Sequence, residues 1–125
     1  DVKGFASLVQ LEVLRLLGTG VSGDVKGLAP LVQLQTLDLR STGVTGDVKD
    51  LASLARLVEL DLFRTRVTGN VMTFARMRNL KRLDIRKTKV TGNFRALRRR
   101  LPELELRCDE EPVDGDTQSC ACTIA

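Results

Sequence analysis

A repeat of 23 residues constrains the fold of this chain more than any other feature. The stretch 31–53, LVQLQTLDLRSTGVTGDVKDLAS, recurs with few changes on both sides of itself. The aligned positions are Leu14, Leu37, Leu60 and Leu83; Leu16, Leu39, Leu62 and Ile85; Thr19, Thr42, Thr65 and Thr88; and Val21, Val44, Val67 and Val90. A fixed period of about 20–29 residues with this leucine spacing predicts a solenoid, in which each unit packs on its neighbours.

Each unit predicts a short strand followed by a turn and a helical segment. Apolar and polar residues alternate over 13–17, 36–40, 59–63 and 82–86, which is typical of strands with one buried face. Gly46 and its equivalents then predict a turn, because glycine tolerates a positive φ. The Asp or Asn after each glycine is expected to cap a helical or 3-10 turn. The sequence therefore predicts an α/β solenoid whose strands form one parallel sheet.

The pattern L-x-x-L-x-L-x-x-T-x-V, which runs from Leu34 to Val44 and has three equivalents, resembles the leucine-rich repeat family. That family usually has Asn where this chain has Thr. The following V-T-G-D-V-x-x-L, from Val44 to Leu51, is similar to the plant-type subclass. The resemblance implies a right-handed superhelix with a parallel β-sheet on the concave face and short helical or 3-10 turns on the convex face. It also implies that the concave face is the partner surface.

The repeat pattern divides the chain into a solenoid, residues 1–107, and an acidic tail, residues 108–125, which we expect to be flexible. The solenoid consists of a partial repeat 1–7, repeats 8–30, 31–53, 54–76 and 77–97, and a degenerate terminal repeat 98–107. The terminal unit, which we read as following the Leu80 unit by 21 residues, is expected to seal the core. Because DVKGF at the start matches DVKGL at 24–28, we expect the sequence to be a piece of a longer protein.

The charge is unevenly distributed along the chain. Residues 54–107 carry 15 basic and 5 acidic side chains, whereas residues 1–53 carry 5 and 6, and residues 108–125 carry none and 5. A basic block of this kind is typical either of a solvated surface or of a surface for an acidic partner. One alternative function is therefore electrostatic binding of a polyanion or an anionic membrane by residues 54–107.

The outward positions of the predicted strands are the candidate binding residues. They vary between repeats while the apolar framework hardly changes. Phe63 lies between Arg40 and Arg86 in one such column, and an aromatic ring flanked by guanidinium groups is typical of an interface hot spot. The predicted partner-binding residues are Arg40, Phe63, Arg64, Arg82, Arg86, Lys87, Asp38, Asp61 and Asp84. The three aspartates are also compatible with an internal charge balance against neighbouring arginines.

The composition argues against catalysis. The chain has no His, Tyr or Trp, so a His-based triad or a His metal site cannot form. Each T-G-[DN] is a repeat turn and does not match a phosphate-binding loop. Strand spacing sets Asp38, Asp61 and Asp84 apart, so they do not predict a metal site. We predict no enzymatic activity and no cofactor.

The three cysteines, Cys108, Cys120 and Cys122, leave several states open. An odd number of cysteines favours a reducing, cytoplasmic compartment, although Cys108 can pair with Cys120 or Cys122 as in a capped extracellular array. The last residues, CTIA, match the C-a-a-X prenylation pattern, with Cys122 as the lipidation site and Cys120 available for a second lipid. Membrane association is expected only with such a lipid.

These patterns together predict a scaffold that binds a protein or peptide on the concave face. Nucleic acid is not the expected partner. A third possibility is that the segment serves only as a spacer or dimerisation surface. Polyanion binding and a contact centred on Phe63 differ in their salt dependence, because counterion release weakens the former steeply as salt rises.

Overall fold

Two parallel sheets run along the solenoid in this computed structural model, which describes residues 1–109. In chain order the strands are β1 (Val13–Arg15), β2 (Ser22–Asp24), β3 (Thr36–Asp38), β4 (Gly43–Asp47), β5 (Glu59–Asp61), β6 (Arg66–Asn70), β7 (Arg82–Asp84), β8 (Lys89–Thr91) and β9 (Glu105–Arg107). The first sheet has the order β1-β3-β5-β7-β9, and the second has the order β2-β4-β6-β8. The predicted α/β solenoid is confirmed.

The register of the first sheet reproduces the sequence repeat. Leu14, Leu37, Leu60, Leu83 and Leu106 are paired in turn across the five strands. The strands are shorter than predicted, because only three residues of each unit form the ladder. The leucines point inward, where each is at most 7% exposed.

The terminal unit differs from the prediction. Leu83 pairs with Leu106, so the last strand keeps the offset of 23 residues and does not follow after 21. Between them lies an α-helix, α1 (Phe94–Arg100), in place of the 3-10 turn of the other units. The helix contains the arginine-rich stretch in which the repeat pattern is lost. Phe94 and Leu97 are the buried residues on its inner face. Aligning Leu101 with Leu80 was therefore wrong by two residues. The last strand keeps the 23-residue register of the other strands.

The second sheet was not predicted. Gly23, Gly46 and Gly69 lie within its strands, although the sequence indicated turns there. Their φ angles are positive, at 105°, 104° and 122°, so the backbone bends sharply while its hydrogen bonds to the neighbouring repeat continue. Glycine is needed because this region of φ is accessible almost only without a Cβ.

Short 3-10 helices form the convex side, as predicted. They are η1 (Val2–Phe5), η2 (Val25–Leu28), η3 (Val48–Leu51) and η4 (Val71–Arg76), and they stack on one another. Each begins at an Asp or Asn whose side chain accepts a hydrogen bond from the backbone two residues later. For Asp47 Oδ1 and the Lys49 amide the distance is 2.8 Å. The predicted capping role is confirmed.

The core is a continuous aliphatic column with a few aromatic rings. Val48, Leu51, Leu54 and Leu57 are fully buried, and Phe74 is the largest fully buried side chain. The threonines that replace the usual Asn donate their hydroxyls to the carbonyl three residues earlier. Thr65 Oγ1, for example, lies 2.8 Å from the Leu62 carbonyl oxygen. The hydroxyl thus satisfies one turn carbonyl in each repeat.

The two ends of the array differ. At the C-terminal end, α1 covers the core, and Cys108, which we had assigned to the tail, is buried and disulfide-bonded. At the N-terminal end β1 is an edge strand, and Leu8, Val13 and Leu17 are about half exposed. Residues 110–125, which include Cys120, Cys122 and most of the predicted tail, lie outside the described residues. Within residues 1–109 no helix has the length and hydropathy needed to cross a membrane.

Candidate functional site

The outward side of the first sheet, here called the concave face, carries the candidate site. Side chains from all five strands border a depression of about 370 Å³ on it. The lining residues are Arg15, Thr36, Leu37, Asp38, Arg40, Glu59, Leu60, Asp61, Arg82, Leu83, Asp84, Glu105 and Arg107. This surface contains five acidic and four basic side chains, so it is a mixed-charge surface and not a basic one.

One column of the concave face consists of the last residue of every strand. Its members, in spatial order, are Arg15, Asp38, Asp61, Asp84 and Arg107. Neighbouring strands in a sheet are about 4.8 Å apart, so adjacent charges in this column interact directly. Asp61 lies at the centre, with a carboxylate on either side, whereas each outer aspartate has an arginine on its outer side.

Two of the three aspartates are neutralised by an arginine two residues later. Arg40 donates Nε to Asp38 Oδ1 at 2.9 Å and Nη2 to Asp38 Oδ2 at 2.8 Å. Arg86 binds Asp84 in the same way, at 3.0 Å and 2.7 Å. These bidentate pairs cover the carboxylates, so Asp38 and Asp84 are only 7% and 9% exposed. The internal charge balance was one of the two predicted roles for this column.

Asp61 lacks such a partner because Phe63 occupies the arginine position of its repeat. Its Oδ1 accepts the Phe63 amide at 3.1 Å, and its Oδ2 lies 3.2 Å from Nε of Arg40, which belongs to the preceding repeat. Its side chain is 27% exposed, against 10% and 12% for those of Asp38 and Asp84. Asp61 is therefore the most accessible and the least compensated carboxylate of the column.

The pKa values of Asp38 and Asp61 are shifted in opposite directions. Burial raises the pKa of Asp38, but hydrogen bonds from the Arg40 side chain and backbone, together with the Arg40 charge, bring it below 3.8. Burial also raises the pKa of Asp61, which the Phe63 amide opposes and the Asp84 charge reinforces. The net pKa of Asp61 lies above 3.8, so its ionised form is under-stabilised.

Phe63 is half-buried, and two guanidinium groups lie near its ring. The guanidinium carbon of Arg86 lies 4.9 Å from the ring centroid, and that of Arg64 lies 5.4 Å from it. Both distances are within the range of cation–π contacts. The sequence predicted Phe63 beside Arg86 and Arg40, and the structure adds Arg64 as its second cationic neighbour.

Arg82 bridges two acidic residues at the rim of the depression. Its Nη1 lies 3.8 Å from Glu59 Oε2, and its Nε lies 3.6 Å from Glu105 Oε1. Glu105 also pairs with Arg107 at 3.2 Å. Sequence reasoning missed Glu105 and Arg107, because the terminal unit had been misaligned by two residues. The spacing from Leu83 to Leu106 was the signal that places them.

Arg64 and Lys87 lie at the turn after the strands and not on the sheet. Together with Ser41 they have φ angles of 57° to 61°, in the left-handed region, and Gly18 is the equivalent residue of the first repeat. The Lys87 amide donates to Asp109 Oδ2 at 2.9 Å. These two predicted contacts thus flank the concave face. Arg40, Arg82 and Arg86 are ion-paired with carboxylates of the concave face, and Arg40 contacts both Asp38 and Asp61.

The part of the chain that the structure describes contains no group of three or more side chains placed to hold a metal ion. The arrangement is instead a group of ion pairs near one aromatic ring, which suits recognition of another molecule by hydrogen bonds and charge pairing.

Comparison with solved structures finds the same architecture in LRR ectodomains of receptor kinases and in internalins. The LRR ectodomain of the receptor kinase SOBIR1 from Arabidopsis thaliana is 25% identical, with a TM-score of 0.73 over 85% of this chain and 59% of that one. An internalin, inlF, from Listeria monocytogenes is 21% identical, with a TM-score of 0.72 over 90% of this chain and 33% of that one. The Arabidopsis receptor kinase HAESA, in complex with the peptide hormone IDA and the co-receptor SERK1, is 22% identical, with a TM-score of 0.70 over 88% of this chain and 20% of that one.

The chain therefore spans at most 59% of the length of these three structures. No family model matches the sequence, and no curated protein matches it.

Proposed function

Because the chain is a leucine-rich repeat protein similar to the plant-type subclass with 23-residue units, we propose that it binds a protein or peptide partner on its concave face. The role is recognition and not catalysis. The contacts come from Phe63, Asp61 and the rim residues around the depression.

The observation that carries the proposal is the depression across the first sheet. Its framework residues repeat, whereas its outward residues differ from one repeat to the next and include acidic, basic and hydroxyl groups, and Phe63 follows the lining residue Asp61 by two positions. An interface of mixed polar groups around an aromatic residue is typical of protein recognition. The side chains are already held by ion pairs, such as Arg40 with Asp38, so little side-chain entropy is lost when a partner binds.

The solved structures support the class of partner. HAESA is described in complex with a peptide hormone and a co-receptor, and the receptor RGFR1 is described in complex with RGF2. A parallel sheet of five strands offers an extended surface over which a peptide or a protein segment can lie.

The polyanion alternative gains no such support. Arg40, Arg82 and Arg86, three of the predicted basic contacts, are each paired with a carboxylate. A phosphate would have to compete with those carboxylates for the guanidinium groups.

The proposal is tested by selecting peptides from a displayed random library on the immobilised protein and comparing two matched variants. The concave variant, Phe63→Ala/Arg82→Ala, removes one apolar group and one arginine from the concave face. The control variant, Met72→Ala/Arg78→Ala, removes the same kinds of group away from it. Circular dichroism confirms that both variants are folded.

Selected peptides are expected to bind the wild type and the control variant equally and the concave variant at least about tenfold more weakly. Their affinity should change modestly between low and moderate salt. The proposal is refuted if no peptide distinguishes the concave variant from the control. A steep loss of affinity with salt for all three proteins would instead favour the basic residues.

A further inference from the structure

The three aspartates of the concave column are held in the same orientation by their own backbones. Asp38, Asp61 and Asp84 each accept the amide two residues later through Oδ1, and the distance is 3.1 Å in all three. The carboxylate plane is thus set by the repeat and not by the side chain that follows. In two repeats an arginine occupies the outer edge of that carboxylate.

In the middle repeat the same carboxylate edge has no guanidinium from its own unit. A carboxylate oxygen has two lone pairs, and the Asp61 oxygens use one for the Phe63 amide and one for the contact with Arg40. Among the described residues these are its only hydrogen-bond or ion-pair partners at short range. The acceptor capacity that Asp38 gives to Arg40 is therefore open at Asp61.

The arginines around the column are unevenly distributed among its three aspartates. The column Asp38, Asp61, Asp84 carries three carboxylates, and the repeat supplies only two arginines, Arg40 and Arg86, on top of it. Arg15 and Arg107 lie at the two ends of the column, next to the outer aspartates. Asp61 nevertheless has no arginine of its own repeat beside it, and it lies in the lining of the depression.

We propose that the partner places an arginine side chain at the centre of the concave face, where its guanidinium binds the acceptor positions of Asp61 that remain open, in the way that Arg40 binds Asp38. This inference rests on the proposed function and adds the chemistry that the partner must present. A planar guanidinium fits because the repeat already binds one at both neighbouring carboxylates with two parallel hydrogen bonds. The Phe63 ring forms an apolar wall beside it, as it does for Arg86 and Arg64.

The test uses two variants of the full chain that the repeat itself shows to be compatible with the fold. Phe63→Arg places in this repeat the residue found at Arg40 and Arg86, so it fills the site from within. Asp61→Asn keeps the acceptor oxygen for the Phe63 amide and removes the charge. Asp50→Asn, on the convex helix η3, serves as the matched control.

The probes are synthetic peptides from the library selection described above, each prepared also with citrulline, a neutral isostere, in place of each arginine. We expect one arginine whose replacement weakens binding to the wild type at least about tenfold and has little effect on binding to Asp61→Asn. Phe63→Arg should lose binding to a similar extent, and Asp50→Asn should bind as the wild type does.

Two outcomes overturn the inference. Peptides that bind the concave face without any arginine would refute it while leaving the proposed function intact. The inference would also be refuted if replacing the arginine by citrulline weakened peptide binding by the same factor in Asp61→Asn as in the wild type. If no peptide binds the concave face, as judged by the Phe63→Ala/Arg82→Ala variant, the proposed function fails as well.

Discussion

Replacing Gly69 by alanine tests whether the capping residue of one repeat dictates the backbone of the next. Gly69 lies in β6 with a φ of 122°, and a Cβ added there would lie 2.5 Å from Asp47 Oδ1 and 2.8 Å from Val48 Cγ2. Gly46 has the same relation to Asp24. The aspartate that caps a 3-10 helix thus occupies the space above the glycine of the following unit, so alanine conflicts both with the φ angle and with that side chain.

The expected magnitude follows from three terms. A non-glycine residue in this region of φ costs about 1–3 kcal/mol. Moving Asp47 away from the Lys49 amide, which it accepts at 2.8 Å, costs about 1 kcal/mol more. Alanine also restricts the unfolded chain, which returns about 0.4–1 kcal/mol. We therefore expect Gly69→Ala to lower the free energy of unfolding by about 1–3.5 kcal/mol.

The assay is urea unfolding followed by circular dichroism, with Gly18→Ala as the control. Gly18 has a φ of 65° and no atom within 4 Å of its added Cβ, and Ser41, Arg64 and Lys87 adopt nearly the same φ at its equivalent positions. Gly18→Ala should therefore cost less than about 1 kcal/mol.

The cost of Gly69→Ala should also fall by at least about 0.5 kcal/mol in an Asp47→Ala background, where the crowding oxygen is absent. Equal costs for Gly18→Ala and Gly69→Ala would contradict the reasoning. Strict additivity with Asp47→Ala would show that the steric contact contributes nothing.

Three further predictions concern single side chains. Asp38→Asn should lower the free energy of unfolding at neutral pH by about 1–2 kcal/mol, because Arg40 loses a charged acceptor while remaining partly solvated. The midpoint of urea unfolding measures this loss, and an unchanged midpoint would contradict the prediction. The pKa of Asp61 is raised above 3.8 in the folded state, so the folded protein binds this proton more tightly and its stability should fall as pH rises through the window just above 3.8. Asp61→Asn should remove that fall, and a wild-type-to-variant difference that is constant from acidic to neutral pH would argue against it. Thr65→Val should lower the free energy of unfolding by about 1 kcal/mol, and by clearly more than Thr19→Val. The reason is that the Thr65 hydroxyl donates its hydrogen bond in a buried site, whereas Thr19 is exposed. Equal changes in the melting temperature of the two variants would refute the role of burial.

From the sequence, the residues that make up the candidate site were largely predictable, but the contacts between them were not. The alternation of Leu37 and Leu39 with polar residues placed Asp38 and Arg40 on the outward side, and the repeat placed Phe63 in the same column. The pattern did not show that Asp38 and Asp84 are covered by their arginines, because that depends on side-chain conformations over distances of about 3 Å. Nor did it show Glu105 and Arg107, since leucines at similar spacings allowed two alignments of the last unit.

The repeat alone determined the solenoid, the buried leucines and the caps at Asp24, Asp47 and Asn70. It did so because apolar periodicity and capping are local properties, and their repetition leaves one way to bury a common face. The second sheet through Gly46 and the contact of Asp61 with Arg40 of the preceding repeat were decided by tertiary structure. Both depend on what the neighbouring repeat places within a few ångströms, and a side chain's own repeat does not contain that information.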